Sequence, residues 1–188
     1  MKKTIQFLVC CAFYLASQAQ VKVGADRSFK SPLNDLKTYG WSTKIEQIPS
    51  NQIFVGLNGV LVYNNESVRE KIKRAIAFEL SAKGYSHDQN NPDILVLFRV
   101  TERPGTLTTF RGYETIDGME KVRTPQNVHH TKIKAGTLII NLVDAKSGKV
   151  AWQGYSSGIL TPDMINDNMK VREAVSDIFS KFHFKAKQ

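Results

Sequence analysis

Apolar residues recur at helical spacing in two stretches of the chain. In residues 67–83 and in residues 167–182 the apolar positions fall on one side of a helical projection, which predicts two amphipathic helices. Ser67 with Glu70 three residues later matches a capping box, and Gly84 is typical of the residue that follows a helix C-terminus. We therefore expect the first helix to begin at about Ser67 and to end before Gly84.

The two predicted apolar faces consist of aliphatic and aromatic side chains that share one side of each helix. In the first helix they are Val68, Ile72, Ala75, Ile76, Phe78, Leu80 and Ala82. In the second helix they are Val171, Ala174, Val175, Ile178, Phe179 and Phe182. These faces predict which sides of the helices are buried.

Short apolar and β-branched runs predict the strands. Residues 94–100 are almost continuously apolar, which is typical of a strand that is buried, or nearly buried, on both faces. Residues 135–143 form another such run. Residues 149–155 alternate in character, and a five-residue loop, 144–148, joins them to the preceding run. This arrangement predicts an antiparallel hairpin.

Weaker signals surround these strands. Residues 38–43 are rich in aromatic and β-branched types and predict a strand, whereas residues 20–38 read as an extended lead-in. Residues 52–63 predict a hairpin in which Asn58-Gly59 supplies a type I′ turn. Residues 101–133 are polar and contain several turn dipeptides, so they form either a functional excursion or a pair of poorly signalled strands.

The order of elements predicts an α+β fold: a mixed or largely antiparallel sheet with two amphipathic helices packed on one face. The helix between strands 38–43 and 94–100 permits a right-handed crossover if those strands are parallel neighbours. We expect residues 20–188 to form a single domain, in which residues 101–133 are a long polar excursion.

The first nineteen residues have the three parts of a secretory signal peptide. Lys2 and Lys3 are followed by an apolar stretch and then by small residues before Gln20, so we expect cleavage after Ala19. Removal of residues 1–19 leaves 169 residues, in which 24 Lys and Arg and 17 Asp and Glu give a net charge of +7. The exported chain would then contain no cysteine. An uncleaved anchor or a buried N-terminal helix is the alternative.

Both cysteines, Cys10 and Cys11, lie inside this stretch, and Leu8-Val9-Cys10-Cys11 is a second possible processing site, for lipid attachment. Lipid attachment normally requires the cysteine at the end of the apolar region, whereas here the apolar residues continue through Leu15. We therefore expect a protein that is periplasmic or associated with the outer membrane, without a lipid anchor.

A search for catalytic and cofactor motifs finds none. The chain has no Gly-x-Ser-x-Gly elbow, no Gly-rich phosphate loop and no His-Glu-x-x-His pattern. His129 and His130 are adjacent, and neighbouring residues of an extended strand point to opposite faces, so they would not share a metal ion. We predict no cofactor, no metal and no catalytic residue.

Four residues are candidates for ligand binding. Glu79 interrupts the apolar face of the first helix. A carboxylate at this position suggests that Glu79 lines a small pocket between helix and sheet. Trp41, Trp152 and Tyr155 lie on predicted strands and would form a binding platform if two of them shared an exposed face. The alternatives are a Glu79 that contacts Lys83 and aromatic residues that belong to the core.

The net charge of +9 and the isoelectric point of about 9.6 raise the question of a polyanionic partner. The basic residues are spread along the chain and interleaved with acids, so no nucleic acid is predicted. Weak attraction to anionic lipid headgroups, and hence peripheral membrane association, is one use of the charge. Simple solubility is the other.

Several segments resemble the domain-of-unknown-function 4136 family of bacterial envelope proteins, many of which are lipoproteins. The specific part runs from Gly136 through Asp144 and from Ser147 through Gly154. The other matching segments are Tyr39-Gly40-Trp41, Leu80-x-x-x-Gly84-Tyr85, Pro92-Asp93-Ile94-Leu95-Val96 and the closing helix. The resemblance implies an α+β domain in the envelope of a Gram-negative bacterium, and it implies no catalytic residue. This chain departs from the lipoproteins of the family because neither Cys10 nor Cys11 stands where a lipid-attachment cysteine is expected.

These observations predict an exported envelope protein that acts as a non-enzymatic binding or scaffold domain, with residues 101–133 as its contact region. Its partner would be an envelope protein or a small ligand, and the oligomeric state stays open. One alternative is a hydrolase-like enzyme that uses Glu79 or the His129-His130 pair. The other is a weak polyanion or membrane-surface binder.

Overall fold

A six-stranded mixed sheet with two helices on one face forms the body of the protein. The computed structural model describes residues 22–26, 33–42, 54–56, 59–61, 66–101, 103–110, 114–116, 119–121, 128–161 and 167–187. The predicted signal peptide, with Cys10 and Cys11, lies outside the described residues. In spatial order the strands are β1 (Lys22–Asp26), β12 (Val150–Ser157), β11 (Thr137–Asp144), β6 (Ile94–Thr101), β2 (Thr38–Trp41) and β5 (Ser86–His87).

The sheet combines both kinds of strand pairing. β1, β12, β11 and β6 are antiparallel neighbours, whereas β2 runs parallel to both β6 and β5. The predicted α+β class and mixed sheet are therefore confirmed. β2 and β6 are parallel neighbours, which is the condition set for a crossover through the first helix. β1 falls within the residues that we expected to be a lead-in: it hydrogen-bonds along the whole length of β12, from Lys22 opposite Ser157 to Asp26 opposite Gln153.

Two helices cover one face of the sheet: α1 (Glu66–Ala82) and α2 (Asn168–Phe179). α1 begins one residue before the predicted cap, so Ser67 lies in its first turn. It ends at Ala82, before Gly84 as predicted, and Gly84 has φ +87°. The Tyr85 N–H donates to the Leu80 carbonyl and the Gly84 N–H donates to that of Ser81, which is the hydrogen-bond pattern of a Schellman motif. A 3₁₀ turn, Leu33–Asp35, lies before β2.

The main core lies between the helices and the sheet. It includes Val68, Ile72, Ala75, Ile76 and Leu80 of α1, Val171, Ala174, Val175, Ile178 and Phe179 of α2, and alternate residues of β6 and β11. Two residues of the predicted α1 face are not part of it, because Phe78 is 58% exposed and Ala82 is also exposed. The outer face of β6 is only half-buried at Leu95 and Leu97, so this strand is not buried on both sides as expected.

Residues 101–133 contain four strands: β7 (Gly105–Phe110), β8 (Glu114–Ile116), β9 (Met119–Lys121) and β10 (Val128–Ile133). β7 pairs with β10 and β8 pairs with β9, both antiparallel. The segment therefore contains two pairs of strands, where the sequence suggested at most one pair. Leu107 and Ile133 from the base of the β7–β10 pair are buried with Ile139 and Tyr155, on the sheet face opposite the helices.

The hairpin predicted in residues 52–63 is present as β3 (Phe54–Gly56) and β4 (Gly59–Leu61). Gly59, which the sequence predicts as a turn residue, instead pairs with Gly56 and is the first residue of the second strand. Asn58, the other residue of the predicted turn, lies outside the described residues.

Candidate functional site

The two helices leave a groove between them on their solvent side, and we call it the interhelical groove. One half is a hollow of about 380 Å³ lined by Lys71, Arg74, Ala75, Phe78, Asn168 and Arg172. The other half is a hollow of about 300 Å³ that shares Ala75, Phe78 and Arg172 with the first. Its remaining lining residues are Glu79, Met169, Glu173 and Ser176.

The charge of the groove changes sign along its length. The half near the helix N-termini carries the cations Lys71 and Arg74 and no carboxylate. The half near the later turns carries the carboxylates Glu79 and Glu173. Arg172 lies between the two halves. From the cationic half to the acidic half, the lining residues advance from 71 to 79 in α1 and from 168 to 176 in α2. The two helices therefore run parallel to one another.

The groove also carries the exposed apolar surface of the described protein. Among the described residues, Phe78 at 58% and Met169 at 70% are the large hydrophobic side chains that stand exposed. The Arg172 guanidinium lies 4.9 Å from the centre of the Phe78 ring, a cation–π contact between the two walls. The floor is Ala75, which is buried. Apolar contact area and charge of both signs therefore meet in one surface.

Glu79 is half-buried and lines the groove. The hollow beside it lies between two helices and opens to solvent, which corrects the expectation of a pocket between helix and sheet. Within the described structure no ion pair joins Glu79 to Lys83. The Lys83 ammonium instead lies 5.7 Å from the centre of the Phe182 ring.

Trp41 lies at the edge of the main core, away from the groove. Its ring meets those of Tyr39 and Phe98 edge-on, at centroid distances of 5.9 and 6.3 Å. The Lys73 ammonium lies 6.0 Å from the Trp41 ring centre. Trp41 is half-buried, and the hollow beside it measures only about 10 Å³, far less than either half of the interhelical groove.

Trp152 and Tyr155 occupy opposite faces of the sheet. Trp152 is 2% exposed and packs against Phe179 and Phe182 under α2, with ring centroids 5.6 and 5.1 Å away. Tyr155 is buried on the other face, over Gly24 of β1. The structure thus does not bring the four candidate residues together: of these, Glu79 alone lies in the interhelical groove.

The histidine pair and one buried serine are further polar groups outside the groove. His129 and His130 are both exposed on β10, and the described residues contain no group of three or more metal-ligating side chains. Ser156 is fully buried on β12, and its hydroxyl has no hydrogen-bond partner in the described structure. None of the described helices has the length and apolar character needed to cross a membrane.

The sequence pattern identifies Glu79 as a site residue but none of the other groove residues, among them Phe78, Met169 and Arg172. Phe78 belongs to the predicted buried face of α1, but it lies at the margin of that face and is exposed. Met169 carried a usable signal, since it is an apolar residue outside the apolar stripe of α2. The contact between Arg172 and Phe78 depends on how the two helices pack, which the sequence pattern of either helix does not contain.

The fold and the groove define a class of protein: an α+β domain with two parallel helices on one face of a mixed sheet. The family model described as "Domain of unknown function (DUF4136)" matches residues 21–182, most of the chain. This protein belongs to the DUF4136 family, which confirms the resemblance noted in the sequence. No curated protein matches the chain.

Several solved structures are similar to this chain. A DUF4136 family protein from Bacteroides thetaiotaomicron has 16% identity and a TM-score of 0.48, over 86% of this chain and 95% of that one. A PDZ domain protein from Parabacteroides distasonis has 16% identity and a TM-score of 0.46, over 89% of this chain and 37% of that one. The PelC dodecamer from Paraburkholderia phytofirmans has 13% identity and a TM-score of 0.44, over 89% of this chain and 99% of that one.

Proposed function

We propose that the protein is an exported, non-enzymatic binding domain of the bacterial cell envelope and that its contact surface is the interhelical groove. The observation that carries this proposal is the position of Phe78 and Met169. These two exposed large apolar side chains lie on the walls of one groove, beside the guanidinium of Arg172. Exposed apolar surface rimmed by polar groups is typical of interaction sites.

The composition of the groove fits a protein contact. Aromatic, Met and Arg side chains are enriched at interfaces, and Phe78, Met169 and Arg172 are one of each. Arg172 is already stacked on Phe78, so a partner that covers both would bury a preorganised pair. Removal of the exposed part of the Phe78 ring from water would contribute about 1–2 kcal/mol to such a contact.

Export is proposed from the sequence of residues 1–19, with its basic start, apolar stretch and small residues before Gln20. N-terminal sequencing of the protein purified from its native cells tests this part. A product that begins at Gln20 in the envelope fraction is expected. Recovery of an intact Met1 from the cytosolic fraction would contradict export.

The use of the groove is tested by site-specific photo-cross-linking in native cells. A photoreactive residue replaces Met169 in one variant and Lys146 in the matched control, because Lys146 is exposed on the turn between β11 and β12. We expect a discrete cross-linked product from position 169 and none from position 146. Equal labelling at both positions, or at neither, would contradict the use of the groove.

The β7–β10 pair is a second candidate contact surface, because residues 101–133 extend from the sheet as paired strands. Deletion of the whole segment is a poor test, since Leu107 and Ile133 cover Ile139 and Tyr155. Replacement of residues 111–127 by a short turn removes β8 and β9 and retains this cover. Loss of the native cross-linked product from position 169 in this variant would show that the segment takes part in binding.

The two remaining alternatives, a polyanion or membrane-surface binder and a hydrolase, can be tested with the same purified protein. A polyanion or membrane-surface binder would lose affinity steeply as salt rises. A hydrolase that uses Glu79 would turn over ester or glycoside substrates and would lose this activity in a Glu79→Gln variant. We expect neither result, because the proposed contact depends on apolar surface as well as on charge.

A further inference from the structure

We infer that the occupant of the interhelical groove is a second copy of this chain, packed face to face so that its helices run antiparallel to those of the first. This inference rests on the proposed function, because it requires the groove to be a contact surface. It adds the identity of the partner and the symmetry of the contact.

The sign change along the groove carries the inference. One half holds Lys71 and Arg74, and the other half holds Glu79 and Glu173. Two identical faces that meet through a two-fold axis can be related in two ways. An axis along the helices would place cations on cations and carboxylates on carboxylates. An axis across the helices places each cationic half on the partner's acidic half, twice in the same interface.

The apolar residues of the groove lie near its middle, where a two-fold axis across the helices would pass. Ala75 and Phe78 line both halves and therefore lie near the middle of the groove, and Met169 lines the acidic half. An axis across the helices would pass near the middle, so each copy would cover the exposed Phe78 of the other. The result is a bundle of four helices, a common way to bury apolar helix faces.

Other occupants match only part of this surface. A small anion would use the cationic half and leave Glu79 and Glu173 without a role. An anionic bilayer would face these same carboxylates with its own negative charge, which is repulsive. A second copy is the partner for which both halves and the apolar middle are complementary.

Sedimentation of the exported chain with two charge-reversal variants tests the inference. The cation-reversed variant carries Lys71→Glu and Arg74→Glu, and the acid-reversed variant carries Glu79→Lys and Glu173→Lys. We expect the wild type to form dimers below about 1 mM. Each variant alone should be monomeric, because both halves of its groove then carry the same sign of net charge. An equimolar mixture of the two should form a heterodimer.

Two further variants complete the experiment. A Lys146→Glu, Lys185→Glu double variant changes two exposed charges away from the groove and should dimerise like the wild type. Phe78→Ser should weaken the dimer about tenfold or more, since a large apolar contact is lost. Circular dichroism of every variant reports whether the fold is retained. A groove variant that unfolds is replaced by its single-site form at Arg74 or Glu173, both of which are exposed.

The outcomes separate this inference from the proposed function. A wild type that stays monomeric at about 1 mM overturns the dimer. If position 169 still cross-links to a different protein in cells, the groove remains a contact surface and the proposed function stands. Dimers that form equally well in both charge-reversal variants also overturn the inference, because the contact then lies elsewhere on the protein.

Discussion

The indole of Trp152 packs directly over the backbone of Gly154, two residues further along β12 on the same face of the sheet. A methyl group at Gly154 would overlap the far edge of the indole and come within 2.5 Å of Ile178 Cγ2 in α2. The absence of a side chain at Gly154 therefore leaves room for the edge of the Trp152 ring between β12 and α2. This contact also explains why Trp152 is a core residue rather than a ligand platform.

Gly154→Ala tests this packing. We expect a loss of about 1–3 kcal/mol in the free energy of unfolding, because the added methyl forces the indole or α2 to move. Gly105→Ala is the matched control: its Cβ would meet nothing within 4 Å, so the change should stay within about 0.5 kcal/mol. Urea denaturation measures both. An unchanged midpoint for Gly154→Ala would show that the indole does not rest on Gly154.

Tyr85 connects the end of α1 to the 3₁₀ turn before β2. Its hydroxyl is buried and donates a hydrogen bond of 2.9 Å to the Leu33 carbonyl. Tyr85→Phe keeps the ring but leaves this carbonyl without the phenol donor, so we expect a loss of about 1 kcal/mol near neutral pH, measured by urea denaturation.

The same residue predicts a change of stability in alkali. Burial raises the pKa of Tyr85 to about 12. Since its folded pKa lies above the unfolded value of about 10, the stabilisation is complete below pH 10 and is lost as the pH rises towards 12. We expect the wild type to lose stability more steeply than Tyr85→Phe over this range. Parallel curves would contradict a shifted pKa of Tyr85.

Asp93 joins the start of β6 to β2. Its carboxylate accepts hydrogen bonds from the backbone N–H groups of Lys37 at 2.8 Å and Thr38 at 3.0 Å. These bonds, that from Lys37 first, hold the pKa of Asp93 below its ordinary value despite partial burial. A lowered folded pKa contributes stability above the unfolded value of about 3.9, and this contribution is lost as the pH falls through the folded pKa.

We therefore expect Asp93→Asn to be less stable than the wild type at pH 7 and to show a weaker loss of stability below pH 4. Urea titrations between pH 2 and pH 7 measure the difference. Asp177→Asn is the control, because Asp177 is exposed on α2 and should follow the wild-type curve. If the two variants behave alike, the hydrogen bonds from Lys37 and Thr38 do not control the acid response.

The first turn of α2, which forms part of the groove wall, depends on Asp167. The Asp167 carboxylate accepts hydrogen bonds from the N–H groups of Met169 at 2.8 Å and Lys170 at 3.4 Å. Asp167→Ala should lower the free energy of unfolding by about 1 kcal/mol, and Asp167→Ser should recover most of it. Hydrogen exchange at Met169 should accelerate in the alanine variant alone. Equal exchange rates in both variants would argue against capping.

Parts of the fold could be predicted because their signals are local. The apolar stripes of α1 and α2 and the Gly84 stop depend on residues within a few turns of one another. The hairpin of β11 and β12 likewise needs only the short loop 144–148. β1 and the paired strands of residues 101–133 are harder to predict, because their sequences are polar and their hydrogen-bond partners lie in distant segments of the chain.

The residues of the candidate site could likewise be predicted only where the signal is local. Glu79 was noticed because a carboxylate interrupts an apolar face, and it lines the groove. Trp152 and Tyr155 are three residues apart on one strand, so the alternation of side chains already places them on opposite faces. Phe78, Met169 and Arg172 meet only after α1 and α2 have packed side by side.

The sequence by itself determined the α+β class, both helices and the family to which the chain belongs. Tertiary structure alone decided that β1 closes one edge of the sheet, that Phe78 is exposed and that cations and carboxylates occupy opposite halves of one groove. The physical reason is the sequence distance between the interacting residues. Helical periodicity is a property of one segment, whereas a groove between two helices depends on how they pack. Residues that line it from the two helices are separated by about 90 to 105 positions in the chain.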